Sequence, residues 1–389
     1  MALRPERVQA GGMVDTTTAT DSVAETDTVS APSRVAGPDE GIGADELQLA
    51  ARNHGMPLEA LRYDVTPVGL HYLLTHYDIP MVGDADWRLT VDGAVRRPLS
   101  LSLDDLRRRP AVTMPVTLEC AGNGRARLHP RPVSQPWLNE AVGTAEWTGT
   151  PLHSLLAEAE PDSGAVDVVF TAYDHGIERG FEQDYRRGLP LTEAMREEVL
   201  LAYQMNGVPL PPQHGYPLRL VVPGWYGMAQ VKWLRSITVT DEPYTGYQNA
   251  TSYRIKQDPD DTGEPVTRVR PRALMVPPGF PDFMSRERVA RPGEHQLLGR
   301  AWSGSAPVSR VEVSVDGGVS WADAELEAAP GRWAWCRWTY RWTVSDPGRY
   351  ELLVRASDAA GNVQPVEAAW NTQGMANNSA HRVVVHVRP

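Results

Sequence analysis

Residues 117–125, Thr-Leu-Glu-Cys-Ala-Gly-Asn-Gly-Arg, constrain the fold of this chain more than any other segment. The β-branched run at 112–118 predicts a strand that ends near Cys120. The Ala-Gly-Asn-Gly that follows allows a tight turn and lets backbone amides approach a bound group closely. We therefore expect Cys120 at the end of a strand, beside a loop rich in hydrogen-bond donors. A metal-binding thiolate would lie at such a place.

Cys120 has two interpretations on these residues alone. A buried free cysteine behaves as a small hydrophobic side chain and is inert. The polar neighbours Asn123, Arg125 and Arg127 instead predict a positive potential and hydrogen-bond donors that lower the pKa of the thiol. The loop therefore favours binding of an anion or a metal, with the inert cysteine as the alternative.

Composition divides the chain into two folded domains and two other segments. A chain of 389 residues exceeds the usual size of a single domain core. Residues 1–45 are rich in Thr, Ser, Asp and Ala and predict a disordered tail. Residues 258–292 are dense in Pro, Asp, Gly and Arg and predict a linker region. The folded domains are then expected at 46–257 and 293–389.

The first domain mixes helical and strand patterns without a regular βαβ repeat, which indicates an α+β fold. Helices are predicted at 47–61, 102–108 and 151–159, and strands at 87–91, 112–118 and 166–172. Ser102 is placed to cap the second of these helices.

The second domain has the alternation of β-strands. Val311, Val313 and Val315 alternate up to the turn sequence Asp-Gly-Gly at 316–318, and aromatic residues alternate at 338–342. Further strands are predicted at 350–356 and 382–387. This pattern predicts an all-β, antiparallel sandwich of immunoglobulin-like type.

Charge and cysteine content exclude several classes of protein. The formal net charge is −11, which gives no indication of nucleic-acid binding. The two cysteines, Cys120 and Cys336, provide no disulfide framework and no Cys-x-x-Cys metal motif. No run of 18 apolar residues and no signal peptide pattern is visible, so we expect no membrane span and a cytoplasmic protein.

Cys-Ala-Gly-Asn followed by Arg125 resembles the molybdenum-ligating motif of the sulfite oxidase family, which includes the molybdenum domain of eukaryotic nitrate reductases. The similarity continues in the same order through 199–207 (Val-Leu-Leu-Ala-Tyr-Gln-Met-Asn-Gly), 214–232 and 370–385. It covers roughly residues 67–389, and the chain is identified as a member of this molybdopterin-dependent family. The resemblance implies a molybdenum-cofactor domain at 46–257 and a sandwich at 293–389 that forms a homodimer.

The resemblance also implies the roles of individual residues. It makes Cys120 the protein ligand of molybdenum, which two dithiolene sulfurs of molybdopterin also hold. It places His76, Asp174, His214, Arg219 and Lys232 around the cofactor, and Tyr253, Trp137 and Arg125 around the substrate. A histidine is more often structural when its spacing alone is considered. Lys232, however, lies among apolar residues in Val-Lys-Trp-Leu and needs an anionic partner, which a phosphate would supply.

Two positions depart from the family pattern. Leu74 and Gln373 stand where sulfite-oxidising relatives carry arginine, so Arg125 is the one matched cation of three. Losing two charged hydrogen bonds weakens oxyanion binding by roughly 10²- to 10⁴-fold. Arg127, Arg179 or Arg186 could substitute for the missing charge. The identity of the substrate is therefore left open.

The leading functional prediction is an oxidoreductase that transfers an oxygen atom to a small substrate. Family members often carry a haem domain, but we expect no haem in this chain, so electrons would pass to or from a separate redox protein. Reduction of an oxyanion, as by nitrate reductase, or of a sulfoxide is the alternative on the same scaffold. A hydrolase is disfavoured because Gly-x-Ser-x-Gly and His-Glu-x-x-His are absent. A non-enzymatic, immunoglobulin-like binding protein is the remote alternative.

Overall fold

The computed structural model describes residues 33–258 and 260–389. Most of the predicted tail lies outside the described residues. The helices are α1 (Ala44–Arg52), α2 (Leu103–Arg107), α3 (Leu152–Ala159) and α4 (Leu191–Ala194). Short 3-10 helices cover Leu58–Arg62, Val68–Leu70, Arg125–Arg127, Pro212–His214 and Gly227–Ala229, and Gln248–Ser252 forms a π-helical turn.

Among the described residues, the N-terminal domain contains twelve strands: β1 (Leu89–Gly93), β2 (Leu99–Leu101), β3 (Val112–Glu119), β4 (Val142–Pro151), β5 (Asp167–Glu178), β6 (Phe181–Pro190), β7 (Leu200–Met205), β8 (Val208–Pro209), β9 (Arg219–Val221), β10 (Leu234–Thr240), β11 (Arg254–Ile255) and β12 (Glu264–Pro265). One sheet has the order β2-β1-β10-β5-β6, with β1 and β10 parallel. A second, antiparallel sheet has the order β3-β4-β7-β8, and β9 also pairs with β7. Short helices among mixed strands confirm the predicted α+β class.

The C-terminal domain contains β13 (Arg272–Met275), β14 (Phe280–Pro281), β15 (Arg288–Ala290), β16 (Gly293–Trp302), β17 (Val308–Ser314), β18 (Ala322–Asp323), β19 (Glu325–Leu326), β20 (Cys336–Val344), β21 (Gly348–Asp358) and β22 (His381–Val387). They form two sheets, ordered β13-β16-β20-β19 and β14-β15-β22-β21-β17-β18. The predicted sandwich is confirmed with one correction, because β15 and β22 run parallel.

Local chemistry explains the elements that were predicted well. Ser102 and Asp105 form a capping box at α2: the Ser102 hydroxyl accepts from the Asp105 N–H at 3.1 Å, and the Asp105 carboxylate accepts from the Ser102 N–H at 2.9 Å. The predicted helix at 47–61 is instead divided, since α1 ends at Arg52 and a separate 3-10 helix follows Pro57. A residue before proline disfavours helical backbone, so the helix cannot continue through this point.

Two predicted segment boundaries differ from the structure. Residues 33–45, assigned to the tail, contact the N-terminal domain: Val35 pairs with Pro132, and Ala36 is buried. The predicted linker contains β13, which pairs with β16, and Ala273 and Met275 belong to the core of the sandwich. The many proline and arginine residues in this segment predicted a linker, so the short buried strand was not recognised in the sequence.

A buried ion pair joins the two domains directly beside the loop that follows β3. Arg272 and Glu119 are each 1% exposed, and the guanidinium donates to the Glu119 carboxylate at 2.7 Å. Arg272 also donates to the Asn139 side chain at 2.9 Å, and Trp302 donates to Glu119 at 2.7 Å. Since Glu119 precedes Cys120, this network fixes the end of β3 against the sandwich.

We expect Arg272→Met to lower the free energy of unfolding by about 3–5 kcal/mol, because it leaves a buried carboxylate without its cation. Adding Glu119→Gln should restore part of the loss, since the uncompensated charge is then gone. Denaturant unfolding measures both. Arg310→Met is the control, because Arg310 is 54% exposed in its ion pair with Asp323 and should change stability little. A loss in Arg272→Met no larger than in this control would contradict the prediction.

No helix among the described residues is long and apolar enough to cross a membrane.

Candidate active site

One cavity in the N-terminal domain brings together residues from distant parts of the sequence. Its walls come from the end of β3, the β5–β6 hairpin, and the segments 71–76, 214–219 and 227–233. All five residues that the resemblance placed around the cofactor line it, together with two others: His76, Asp174, His214, Arg219, Lys232, Cys120 and Tyr253. The folded chain thus assembles the predicted set on one cavity.

Cys120 lies where β3 gives way to the glycine-rich loop. Its N–H donates to Ala141 O at 2.9 Å, and its own carbonyl accepts from the Asn123 N–H at 3.0 Å. Gly124 has φ +89°, and a Cβ there would come within 2.9 Å of Asn377, so this turn requires glycine. The predicted strand, turn and cysteine position are observed.

The expected lowering of the Cys120 pKa is wrong. Cys120 is 7% exposed, and burial raises the pKa of the thiol despite the opposing charge of Arg125. Asn123 does not face the sulfur as a free donor, since its amide donates to Glu119 Oε1 at 3.0 Å and to Asn139 O at 3.2 Å. The protein alone therefore keeps a protonated thiol. Coordination to a metal would release the proton.

The opposite part of the cavity is basic. Arg219 is buried over the Trp147 ring, 4.5 Å from its centroid, and donates to His214 O at 3.0 Å. Lys232 donates to Leu74 O at 2.8 Å and to Gln213 O at 3.1 Å. Within the described part of the chain, neither cation forms an ion pair with a carboxylate. The wall therefore presents positive charge that the protein does not neutralise by direct contact.

Burial acts strongly on the titratable groups of this wall. It lowers the pKa of Lys232 to about 7, with a further contribution from Arg219, and lowers the pKa of His214. It raises the pKa of Asp174 to about 6, against the attraction of Lys232. Asp174 lies at the register shift between Thr171 and His175 in β5, which explains how its side chain turns into the cavity. An anionic group would favour the charged forms of the bases.

His76 links the cavity to Tyr253, one of the residues that the resemblance placed around the substrate. Its Nε2 lies 2.8 Å from the Tyr253 hydroxyl, and its ring packs on Tyr185 with centroids 5.0 Å apart. The Tyr185 hydroxyl donates to Met228 O at 2.7 Å. Tyr185 was missed in the sequence, because nothing in its local pattern separates it from an ordinary buried strand residue.

A wide cleft of about 630 Å³ opens beside the cavity. Leu74, His76, Cys120 and Tyr253 line both spaces, so the cavity and the cleft meet at Cys120. Arg125, Trp137 and Gln373 line the cleft but not the cavity. Helix α1 forms another part of its wall, which the sequence did not predict.

Arg125 is held by its neighbours rather than free in the cleft. Its Nε donates to Gln373 O at 2.8 Å, and another nitrogen donates to Gln135 O at 3.2 Å. Gly122 packs on the guanidinium, where a Cβ would come within 2.7 Å of it. Arg125 thus supplies a fixed, buried positive charge near Cys120.

Of the three arginines considered as substitutes for the missing charge, Arg179 alone lines the cleft among the described residues. Arg186 lies 3.5 Å from Asp184 in an ion pair. Burial lowers the pKa of Arg127, which lies close to the charges of Glu140 and Arg272. Of the three arginines, Arg179, which lies in the turn between β5 and β6, is therefore the candidate to replace the missing charge.

The donor set fits molybdopterin. Within the described part of the chain, no cluster of three or more His, Cys, Asp or Glu side chains could hold a metal alone, so one thiolate would require ligands from a cofactor. Arg219 Nε and Thr75 Oγ1 are buried without a hydrogen-bond partner among the described residues. A phosphate against Arg219, Lys232 and His214 would satisfy the unneutralised charge.

Two family descriptions match this sequence. "Oxidoreductase molybdopterin binding domain" matches residues 76–248, and "Mo-co oxidoreductase dimerisation domain" matches residues 281–388.

The similar proteins include sulfite oxidase from Gallus gallus, 37% identical over 335 residues, which cover 82% of this chain and 72% of the relative. Mitochondrial sulfite oxidase from Homo sapiens is 36% identical, with 84% and 62% covered. NADH nitrate reductase from Solanum lycopersicum is 32% identical, with 86% and 40% covered. This chain thus spans less than two thirds of the length of the last two.

The crystal structure of the sulfane dehydrogenase SoxCD from Paracoccus pantotrophus has the same fold, with a TM-score of 0.75, 24% identity and 96% of each chain covered. The matched domains, the relatives and the assembled cavity agree on one assignment. The chain belongs to the sulfite oxidase family of molybdopterin-dependent oxidoreductases and is an enzyme of that family.

Proposed function

We propose that this enzyme oxidises a small sulfur oxyanion of the sulfite type. Sulfite and water would give sulfate, two protons and two electrons, and the electrons would leave one at a time to a separate redox protein. The observation that carries the proposal is the position of Cys120, at the junction between a basic cavity and an open cleft. This arrangement suits a buried anionic cofactor whose metal meets a substrate from solvent.

The residues of this chain would bind and orient the reacting groups. Bound molybdopterin would supply the metal that transfers the oxygen atom and accepts two electrons. Cys120 would be the protein ligand of that metal, while Arg219, Lys232 and His214 would hold the phosphate. His76 fixes the Tyr253 hydroxyl at the junction through their 2.8 Å contact, and the buried charge of Arg125 would favour an anion beside Cys120.

Metal analysis and kinetics on the purified enzyme test this proposal. Molybdenum and pterin should be stoichiometric with the chain, and sulfite should reduce a one-electron acceptor such as ferricyanide. Protein that carries molybdenum but does not oxidise sulfite would overturn the proposed substrate and leave the family assignment intact.

A reductive reaction is the second candidate. Leu74 and Gln373 make part of the cleft neutral, which favours a less anionic substrate, and the nitrate reductase relatives act in that direction by name. A screen of nitrate and sulfoxides with a reduced viologen dye as electron donor separates this candidate from sulfite oxidation.

We further propose that the sandwich forms a two-fold symmetric homodimer. The matched dimerisation domain supports this, and the hairpin at 280–284 exposes Phe280, Phe283 and Met284 by 61%, 83% and 83%. Exposed apolar clusters mark interaction surfaces. Light scattering at micromolar concentration tests the proposal, and a persistent monomer would contradict it.

A further inference from the structure

Among the described residues, some of the arginines that line the cleft form ion pairs with carboxylates, and others do not. Four arginines of the described segments line it: Arg34, Arg52, Arg125 and Arg179. Arg34 pairs with Glu40 at 2.6 Å, and Arg52 donates to Tyr77 O at 2.6 Å and lies 3.3 Å from Asp78. Arg125 and Arg179, in contrast, form no ion pair with a carboxylate within the described part of the chain.

Within the described part of the chain, the acidic residues of the cleft form no ion pair with these two cations. Glu46 is buried in an ion pair with Arg131. Glu178 accepts from Gln248 at 3.0 Å and from Ser252 at 3.1 Å. Asp45 lies in the first turn of α1, where the helix dipole favours its charge. The charge of Glu178 acts on Arg125 across the cleft, but neither Arg125 nor Arg179 is neutralised by direct contact with a carboxylate among the described residues.

The backbone of Arg179 is unusual. Glu178 and Phe181 are the last pair of the β5–β6 hairpin, so Arg179 and Gly180 form its two-residue turn, with φ of +51° and +88°. A turn with two positive φ angles strongly prefers Asn, Asp or Gly at its first position. Arginine stands there at a conformational cost, which points to a role for its side chain.

Arg179 also faces another cation. Its charge contributes, after the larger effect of burial, to the lowered pKa of Arg125. Arg179 has no hydrogen bond or ion pair to any other described side chain. Two like charges on one cleft repel each other until an anion lies between them.

On the basis of the proposed function, we propose that Arg179 is the substrate-binding residue that captures the anionic substrate at the mouth of the cleft and directs it towards Arg125 and Cys120. It supplies a positive charge on a cleft wall where Leu74 and Gln373 are neutral. If Arg179 has this role, the site prefers small oxyanions to neutral sulfur compounds in spite of these two neutral positions.

Arg179→Asn tests this role, because asparagine suits the turn and removes only the charge. We expect KM for sulfite to rise about tenfold or more, kcat to stay nearly unchanged, and the salt dependence of kcat/KM to weaken. Arg179→Lys should retain part of the effect of the charge. Thermal stability should not fall in Arg179→Asn, which excludes misfolding as the cause.

Arg286→Asn is a matched control. Arg286 also has a positive φ, +58°, and is exposed in a turn of the other domain. The substitution removes the same charge and relieves the same backbone conformation, so it should leave KM unchanged. An equal rise of KM in both variants would overturn the proposal.

Sulfate binding, followed by tryptophan fluorescence, gives a readout without turnover. It should weaken in Arg179→Asn by a factor similar to the rise in KM. If the wild type oxidises sulfite and the variant has the same KM, Arg179 is not the capturing residue and the proposed function stands. If the wild type does not oxidise sulfite, the proposed function fails. The role of Arg179 is overturned as well if the wild type and the variant bind sulfate equally, or if neither protein binds it.

Discussion

Cys120→Ser is expected to abolish turnover while leaving the fold and much of the pterin in place. Cys120 stands at the junction of the cavity and the cleft, and an alcohol does not replace a thiolate as a ligand for a soft-ligand site. The loss should far exceed the roughly 10–100-fold effect of removing an outer partner of a metal ligand. Steady-state kinetics, metal content and pterin content on the same preparation measure it.

Cys336→Ser is the matched control for this substitution. Cys336 is also buried, its thiol donates to Ala301 O at 3.3 Å, and burial raises its pKa to about 11. It lies in the core of the sandwich, away from the cavity. The control should retain activity, whereas a Cys120→Ser enzyme with the wild-type rate would rule out Cys120 as the molybdenum ligand.

Sulfite should be a poor substrate for the wild type at low concentration, and Leu74→Arg with Gln373→Arg should lower KM by roughly 10- to 10²-fold, which corresponds to the one charge that Arg179 does not already supply. Leu74 lines both spaces at the junction, and its carbonyl accepts from Lys232. The Gln373 side chain lies against the backbone carbonyls of residues 251–252, which could accept from a guanidinium. Leu74→Arg therefore leaves the backbone contact with Lys232 in place, and the guanidinium of Gln373→Arg can replace the contact that the Gln373 amide makes with residue 251.

The improvement should appear in KM more than in kcat, since anion contacts act on the bound substrate and the transition state alike. A stability loss is expected as well, because the added arginines would share the cleft with buried Arg125. Leu74→Met with Gln373→Met is the uncharged control and should leave KM high. A micromolar KM for sulfite in the wild type would show that the two neutral positions do not limit substrate capture.

The sequence predicted the structure correctly where interactions between neighbouring residues determine it. The Ser102 capping box, the strand before Cys120 and the alternation that builds β17 depend on neighbours within a few residues. The family motif then gave the membership of the cavity, because the same fold brings the same positions together. His76 and Lys232, 156 positions apart, could not have been placed in one cavity by spacing alone.

Burial and long-range contacts decided the rest. The residues near Cys120 predict an acidic thiol, but desolvation depends on chain packed from elsewhere and raises its pKa instead. Arg272 belongs to a segment whose composition predicts a linker. Only the tertiary structure shows that it is buried and forms an ion pair with Glu119 of the other domain.

Arg179 shows most clearly which information comes from the sequence and which comes from the tertiary structure. The sequence offered it as one of three arginines able to replace a missing charge, with no local feature to choose among them. Its selection depends on a turn with positive φ, on a cleft wall and on the absence of a carboxylate partner among the described residues. The sequence by itself determined the family and the two-domain plan, and it predicted Cys120 as the cofactor ligand. The tertiary structure determined which charges stay unneutralised, because neutralisation is a property of three-dimensional neighbours.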